Sequence, residues 1–367
     1  MNRLLSIAIL VLAMFAVTNK AVAVKYVNAQ DLTFLGKLCE TTNPYHRVEV
    51  ADYKSLNSTE ATLLRDASGL AVVFETNSTA VWVKPEMGHY RTADGMPRAA
   101  AEGFNMFIDV DGEWVWASSV ANARGKNNDG TDKMNNPLRL IANMDKTMKR
   151  CIIYLPLFSE LKHLEIGVDD DAVINAVDNP FRHKIAIFGS SFTHGSCASA
   201  AGMTYPAFLS RQTGLYLCSL GMSGNSKLQK TMAEIMASSD ADAFICDAFS
   251  NPTTEIIGER MRPFIETIQA KHPGKPIIFL ETIYRESRNF NQNSEKFESE
   301  RIAYVRNLMK QIVKEYDDVY YVDVTNQTGT DHLTSADGTH PYSWGYKRWA
   351  DAIEKPVKKI LAKYKIK

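Results

Sequence analysis

The stretch KIAIFGSSFTHG, Lys184 to Gly195, decides how the rest of the chain is read. Ile185-Ala186-Ile187-Phe188 is a short apolar run rich in β-formers, the pattern of a strand buried on both faces of a parallel sheet. It stops at Gly189, and Ser190, Ser191, Thr193, His194 and Gly195 follow at once. A strand that ends in Gly-Ser-Ser aims a hydroxyl out of the carboxyl end of a sheet, the edge at which open α/β folds place their ligand crevices. A glycine turn with solvated serines reads the same way in isolation, so the weight falls on the surrounding sequence.

Downstream of Lys184, strands and amphipathic helices alternate. Apolar runs at 185–188, 215–218, 243–247, 276–281 and 319–322 read as strands. Residues 297–316 read as a helix with Ile302, Val305, Leu308, Met309, Ile312, Val313 and Tyr316 on one face. Trp349, Ile353, Val357, Ile360 and Leu361 mark a last helix in the same way. Five strands with helical crossovers predict an α/β fold: a five-stranded parallel sheet in a three-layer α/β/α domain.

Upstream, residues 24–177 are β-rich. The runs 71–74 and 80–83 flank a turn at Thr76-Asn77-Ser78, and Asp111-Gly112 reads as the turn of a hairpin from 104–110 into Trp114-Val115-Trp116. Further strands are expected at 151–155 and 164–168, with a polar loop at 124–137 and no good helix. Many short strands with turn signals predict a jelly-roll-like β-sandwich. Trp82, Trp114 and Trp116 suggest either a sugar-stacking platform or aromatics packed between sheets, the second being the commoner use. The grammar changes near Asp178-Asn179-Pro180, so the expected division is 24–177 and 178–367, with two domains the default for 367 residues.

Residues 1–23 read as a signal peptide: a basic start at Arg3, an apolar run from Leu4 to Val17 too short for comfortable membrane spanning, and an Ala21-Val22-Ala23 cleavage site. An uncleaved anchor is the alternative. Export to the periplasm or medium is expected, with no stable membrane insertion after cleavage. Lys+Arg and Asp+Glu both number 42, which argues against a nucleic-acid or anionic-membrane partner. Hydrophobic residues make up 45% and charged residues 23%, an ordinary globular balance with a full core. The cysteines, Cys39, Cys151, Cys197, Cys218 and Cys246, are odd in number and match neither a zinc site nor a disulfide scaffold.

Four features fall at or beyond strand ends in the second half: Gly189-Ser190-Ser191, Gly221-Met222-Ser223-Gly224-Asn225, Phe249-Ser250-Asn251 and Asp337-Gly338-Thr339-His340. Parallel strands bring their carboxyl ends together, so these segments can converge. A serine hydroxyl needs a base to become a nucleophile, and His340 is the natural one, with Asp337 to fix its tautomer. The N–H groups of Ser191 and Gly224 and the side-chain amide of Asn251 would supply an oxyanion hole. Ser223 lies close to a G-x-S-x-G elbow but has Asn225 at the final glycine position, so it is discounted. His194 is set aside as base despite its nearness to Ser191.

At these residues the chain resembles the SGNH hydrolases, or GDSL esterases, which carry Ser in a G-D-S-x-x-x-G block, then Gly, then Asn, then D-x-x-H. By that resemblance Ser191 is the nucleophile, Gly224 and Asn251 complete the oxyanion hole with Ser191, and Asp337 and His340 finish the triad. Two departures stand out: Ser190 occupies the signature's Asp position, and Ala248-Phe249-Ser250-Asn251-Pro252 replaces G-x-N-D. GSSFTHGSCASAAGMTYP and SLGMSGN, with FETNSTAVWV, GFNMFIDVDGEW and IIYLPLFSELKHLEIGV upstream, are similar to a two-domain Bacteroidetes-type subgroup whose hydrolase domain follows a β-sandwich. The resemblance implies an exported serine esterase that removes acetyl or other small acyl groups from carbohydrate, without metal or organic cofactor. Tyr284, Arg285 and Trp344 are candidate substrate-binding residues. A lipid or lysophospholipid esterase of the same fold, and a glycan-binding protein with an inactive hydrolase domain, are the rival readings.

Overall fold

Short β-branched runs with alternating burial build two antiparallel sheets between Val24 and Asn175 in the computed structural model, which describes residues 23–92 and 95–367. The strands are β1 (Val24–Asn28), β2 (Thr33–Leu35), β3 (Ala71–Thr76), β4 (Val81–Tyr90), β5 (Phe104–Val110), β6 (Glu113–Val120), β7 (Leu138–Ile141), β8 (Lys149–Tyr154), β9 (Ser159–Asp169) and β10 (Ile174–Asn175). One sheet runs β1-β9-β4-β7; the other runs β10-β3-β8-β5-β6, with β2 also on β3. Val81, Val83, Leu164 and Ile166 from the first sheet meet Val72, Phe74, Phe104, Met106 and Ile153 from the second in one buried core. Asp111 and Gly112 both take positive φ, 54° and 89°, which gives the β5–β6 turn the twist its strands need. The expected signal peptide lies outside the described residues, apart from Ala23.

Two expectations for this half are corrected. A helix, α1 (Ser58–Arg65), forms where none was expected. It buries only Glu60, Leu63 and Leu64, too few positions to show a helical period, and its real signal is a capping box between Asn57 and Glu60. The three tryptophans form neither a shared platform nor a filling between the sheets. Trp82 sits on β4, opposite in the strand to the core-facing Val81 and Val83, while Trp114 and Trp116 belong to the other sheet. Trp114 packs toward the second domain's core and Trp116 is 52% exposed.

After the short helix α2 (Arg98–Ala101), the second domain carries β11 (Arg182–Gly189), β12 (Leu215–Gly221), β13 (Ala243–Asp247), β14 (Ile277–Leu280) and β15 (Val319–Val322), all parallel, in the order β12-β11-β13-β14-β15. The chain leaves β11 for a neighbour on one side and returns to a neighbour on the other. That makes β11 the topological switch strand, where a crevice opens outside the carboxyl ends. The helices are α3 (Ser191–His194), α4 (Tyr205–Thr213), α5 (Lys230–Ala237), α6 (Thr254–Gln269), α7 (Gln292–Glu315) and α8 (Ser343–Leu361). Apolar residues of α4 and α8 cover one face of the sheet, and those of α5, α6 and α7 the other, completing three layers.

The two halves share their cores. Leu38, Val48, Leu63 and Leu64 pack with α5 and α6 on one face of the parallel sheet, and Ile152, Tyr154, Leu157 and Phe158 join the core of the other. Between them lies a buried polar cluster. Arg47, 1% exposed, donates to the carbonyls of Asp66, Ser219 and Gly221 at 3.0, 3.2 and 3.0 Å. Asp66 is fully buried and faces His89 Nε2 at 2.7 Å, Arg91, and His194 Nε2 at 3.3 Å. Among the described residues no cysteines are joined by a disulfide, and no helix is long and apolar enough to cross a membrane.

His194 is fully buried, stacks on Phe158 at 4.1 Å between ring centroids, and gives its Nε2 proton to Leu157 O at 2.7 Å. Burial lowers its pKa from 6.5 to about 4, with Asp66 opposing that shift and Arg47 adding to it. The unfolded chain therefore binds a proton that the folded chain refuses between pH 6.5 and pH 4. Folding stability should be complete above pH 6.5 and fall as pH drops through that window, by on the order of 3 kcal/mol from this residue. Asp247, whose buried carboxyl is raised to about 6, acts with the opposite sign in much of this window, so the test is a difference between variants. The stability lost on His194→Gln, read from urea midpoints, should be larger at pH 7 than at pH 4. A loss that does not change with pH would show that the imidazole is not held neutral.

Candidate active site

The turn that carries Ser191, the expected nucleophile, is built by close approaches that only glycine allows. Gly189 ends β11 opposite Asp247 of β13, and a Cβ there would lie 1.9 Å from Thr193 Oγ1 and 2.9 Å from Asp247 Cβ. Ser190 caps α3 by accepting the Phe192 N–H at 3.2 Å, which places Ser191 first in the helix. Gly195 closes α3 in the left-handed region at φ 99°, with Thr204 and Leu157 too close for a side chain. It therefore ends this turn as well as bringing the cap of α4 near.

Asp337 and His340 arrive from the loop between β15 and α8. The Asp337 carboxylate accepts the N–H groups of Thr339 and His340 at 2.9 and 2.7 Å, folding the loop on itself, and its Oδ2 meets His340 Nδ1 at 2.7 Å. Burial pushes the Asp337 pKa upward, but hydrogen bonds from His340 and Thr339 outweigh it and hold the group below the ordinary carboxylate value. His340 Nε2 then reaches Ser191 Oγ at 2.8 Å across 149 residues of sequence. Phe192, buried beneath, meets the imidazole edge-on at 5.6 Å.

Gly224 and Asn251 lie in segments tied to the same place. Met222 N–H donates to Gly189 O at 2.8 Å, and Ser226 N–H donates to Asn251 Oδ1 at 3.2 Å, so residues 222–226 run between the end of β11 and Asn251. Gly224 takes φ 71° and faces open space. Because Asn251 spends its oxygen on Ser226, its NH₂ is turned free. The N–H groups of Ser191 and Gly224 and the Asn251 NH₂ make no hydrogen bond among the described residues. That leaves the donor set an oxyanion hole requires.

The profile of the GDSL-like lipase/acylhydrolase family matches residues 182–358, and that of the N-terminal domain of SGNH-hydrolase-type esterases matches residues 24–174. A Bacteroides ovatus structure described as a GDSL-like lipase is 36% identical, covers 93% of this chain and 98% of its own, and superposes with a TM-score of 0.85. The chain belongs to this family. Two more distant structures share the fold of the GDSL esterase. The salicylyl-acyltransferase SsfX3 from a tetracycline biosynthetic pathway is 19% identical over 95% of this chain and all of its own, with a TM-score of 0.69. A family two carbohydrate esterase from Cellvibrio japonicus is 11% identical over 93% of this chain and 98% of its own, with a TM-score of 0.61. A comparison with curated protein sequences finds no match. Family membership makes the protein a carboxylic ester hydrolase.

The remaining sequence candidates divide. Arg285 is a brace: it donates to Glu298 Oε1 and to Ser250 O, each at 2.8 Å. Arg301, 3% exposed, donates to the same Ser250 carbonyl at 2.9 Å and pairs with the buried Glu298. Two guanidiniums thus pin the residue before Asn251. Tyr284 turns to Asn289 and His332, bonding Asn289 Oδ1 at 2.8 Å, and lines a cavity of about 320 Å³ with Glu281, Arg288 and Gln327. Trp344 is 57% exposed on α8 with the Arg348 guanidinium 4.3 Å over its ring, four residues beyond His340. Sequence reading missed Arg47, Asp66, Asp247, Glu298 and Arg301, because isolated charges in loops, at strand ends and along helix α7 carry no spacing signal. Only Asp247, a charge at the end of an otherwise apolar strand, was visible as an anomaly.

Gly221 offers a direct test of how the turn is held. A Cβ there would lie 2.3 Å from His194 N and 2.4 Å from its Cα, both backbone atoms. Gly221→Ala should lower stability by about 1–3 kcal/mol through overpacking. It should also slow ester hydrolysis, since α3 must shift to make room. Thermal melting and turnover of a chromogenic acetate ester measure both; a wild-type melting temperature would contradict the contact.

Proposed function

We propose that this GDSL esterase is an exported serine hydrolase that removes acetyl or other small acyl groups from carbohydrate. The observation that carries the reading is the continuous relay from Asp337 Oδ2 through His340 to Ser191 Oγ, at 2.7 and 2.8 Å, beside three unbonded donors at the carboxyl edge of the sheet. In this reading His340 Nε2 takes the Ser191 proton as Oγ attacks the ester carbonyl. The oxygen that becomes negative is met by the N–H groups of Ser191 and Gly224 and the amide of Asn251. As the tetrahedral intermediate collapses, His340 gives that proton to the departing sugar oxygen, which leaves as a hydroxyl, and the acyl group stays on Ser191. Water, deprotonated by the same imidazole, releases the acid. Asp337 holds the Nδ1–H tautomer throughout and stabilises the imidazolium.

The family two carbohydrate esterase that shares the fold supports a carbohydrate substrate, and the basic, apolar and A-x-A pattern of residues 1–23 supports export. A second reading, a lipid or longer-chain acyl substrate, is favoured by three exposed apolar side chains near His340: Leu333 at 71%, Tyr342 at 45% and Trp344 at 57%. A chain-length series of p-nitrophenyl esters separates the two, and acetate release from a panel of acetylated polysaccharides identifies the glycan.

Ser191→Ala and His340→Ala should each lower kcat by about 10⁶-fold and Asp337→Ala by about 10⁴-fold, with the fold intact by circular dichroism. Asn251→Ala should cost about 10²–10³ in kcat with little change in KM. Undiminished acetate-ester turnover by Ser191→Ala would end the assignment.

A further inference from the structure

Asp247 is the last residue of β13, carries a carboxylate with no exposure to water, and touches nothing that the proposed reaction consumes. A buried carboxylate needs donors to offset its desolvation, and here all of them come from the nucleophile turn. Its Oδ2 accepts the Ser190 N–H at 3.2 Å, the Ser190 hydroxyl at 2.8 Å and the Thr193 hydroxyl at 3.1 Å. These residues bracket Ser191 on both sides.

A carboxylate can only accept, so it fixes the direction of every hydroxyl around it. Ser190 must donate to Asp247, which leaves its lone pairs for the Phe192 N–H and makes it the cap of α3. Thr193 must also donate to Asp247, so its bond of 2.7 Å with Tyr205 is donated by the tyrosine. The register places Gly189 directly opposite Asp247, where the absence of a side chain lets carboxylate and Thr193 meet. Burial raises the carboxylate pKa to about 6 against the pull of the Ser190 and Thr193 bonds and the Arg285 charge.

We infer that Asp247 is a positioning residue for the Ser191 nucleophile, the acceptor on which the Ser190 and Thr193 hydroxyls converge, and that it supplies from a neighbouring strand the carboxylate missing at position 190. The inference rests on Ser191 being the nucleophile. The two positions are within hydrogen-bond reach, so their side chains can be exchanged with little change in volume.

The test measures the second-order rate at which a fluorophosphonate probe modifies Ser191, together with kcat and KM on a chromogenic acetate ester. Labelling of the wild-type enzyme at Ser191 comes first; if it fails, the serine-esterase reading fails, whatever Asp247 does. Given a labelled wild type, Asp247→Ser should label and turn over about 100-fold more slowly at nearly unchanged KM, the scale of a small misplacement of a reacting group. The exchange variant S190D/D247S should recover to within about tenfold of wild type, because an aspartate at 190 caps α3 itself. A wild-type labelling rate for Asp247→Ser overturns the inference. So does an exchange variant that melts cooperatively yet stays as slow as the single variant, since the loss would then belong to packing. If Asp247→Ser does not fold, the exchange variant decides alone: active supports the inference, inactive overturns it.

Discussion

Asp66 has no access to water, and the nucleophile helix and both halves of the chain bear on it. A carboxylate in that position costs several kcal/mol of desolvation unless its charge is met by well-placed donors. Here the donors come from His89 and Arg91 of the N-terminal half, His194 Nε2 of α3 lies 3.3 Å away with its proton directed at Leu157 O, and Arg47 is bonded to the Asp66 carbonyl. Removing one partner of such a cluster typically costs about 3–5 kcal/mol, because the others stay buried without it. The cluster therefore fixes how the β-sandwich and the α/β domain sit together more than it adds stability. Phe158 against the His194 ring, and Ser68 Oγ donating to His194 O at 2.9 Å, hold the far end of the same four-residue helix.

The consequences reach the chemistry through backbone. Arg47 binds the carbonyls of Ser219 and Gly221 at the end of β12, just before the segment that carries Gly224. Gly221 lies against the backbone of His194, and Met222 bonds the carbonyl of Gly189. A sub-ångström movement at the domain junction would reach both the nucleophile turn and one oxyanion donor, since close-packed interiors transmit displacement. The imidazole comes from the other side, on a loop folded by its own Asp337. Ser343 and Tyr346 at the start of α8 donate to Met203 O and Ser196 O, at 3.1 and 2.7 Å, and so bind that loop beside the segment that follows Ser191.

Much of this was legible in residue order. The strand and glycine of Lys184–Gly195, the repeated strand–helix alternation and the long helical period ending at Tyr316 all express local physics with a fixed period. The groups expected to do chemistry were legible for the same reason: Ser191, Gly224, Asn251, Asp337 and His340 sit on turns whose glycine and polar residues mark strand ends. The tryptophans were misread because a strand period does not say which of two sheets a strand joins. Helix α1 was missed because eight residues with two buried leucines have no measurable period. The residues that hold the site were hardest to see. Arg47, Asp66, Glu298 and Arg301 are ordinary surface types by composition, and only the fold buries them.

The same distinction bears on what the β-sandwich is for. Were it an appended binding module, its contacts with the hydrolase domain would be sparse, polar and wet. Instead Leu157 and Phe158 complete a core with α4 and α8, Leu38, Val48, Leu63 and Leu64 complete another with α5 and α6, and Asn105 Oδ1 accepts the Gly202 N–H just beyond the nucleophile turn. Cutting the chain near residue 178 would uncover both apolar faces. It would also leave the Ser219 and Gly221 carbonyls and the His194 ring without the partners that orient them. The parallel sheet supplies the nucleophile strand, but its first turn is shaped from both sides of the domain junction, so the catalytic unit is the two-domain chain.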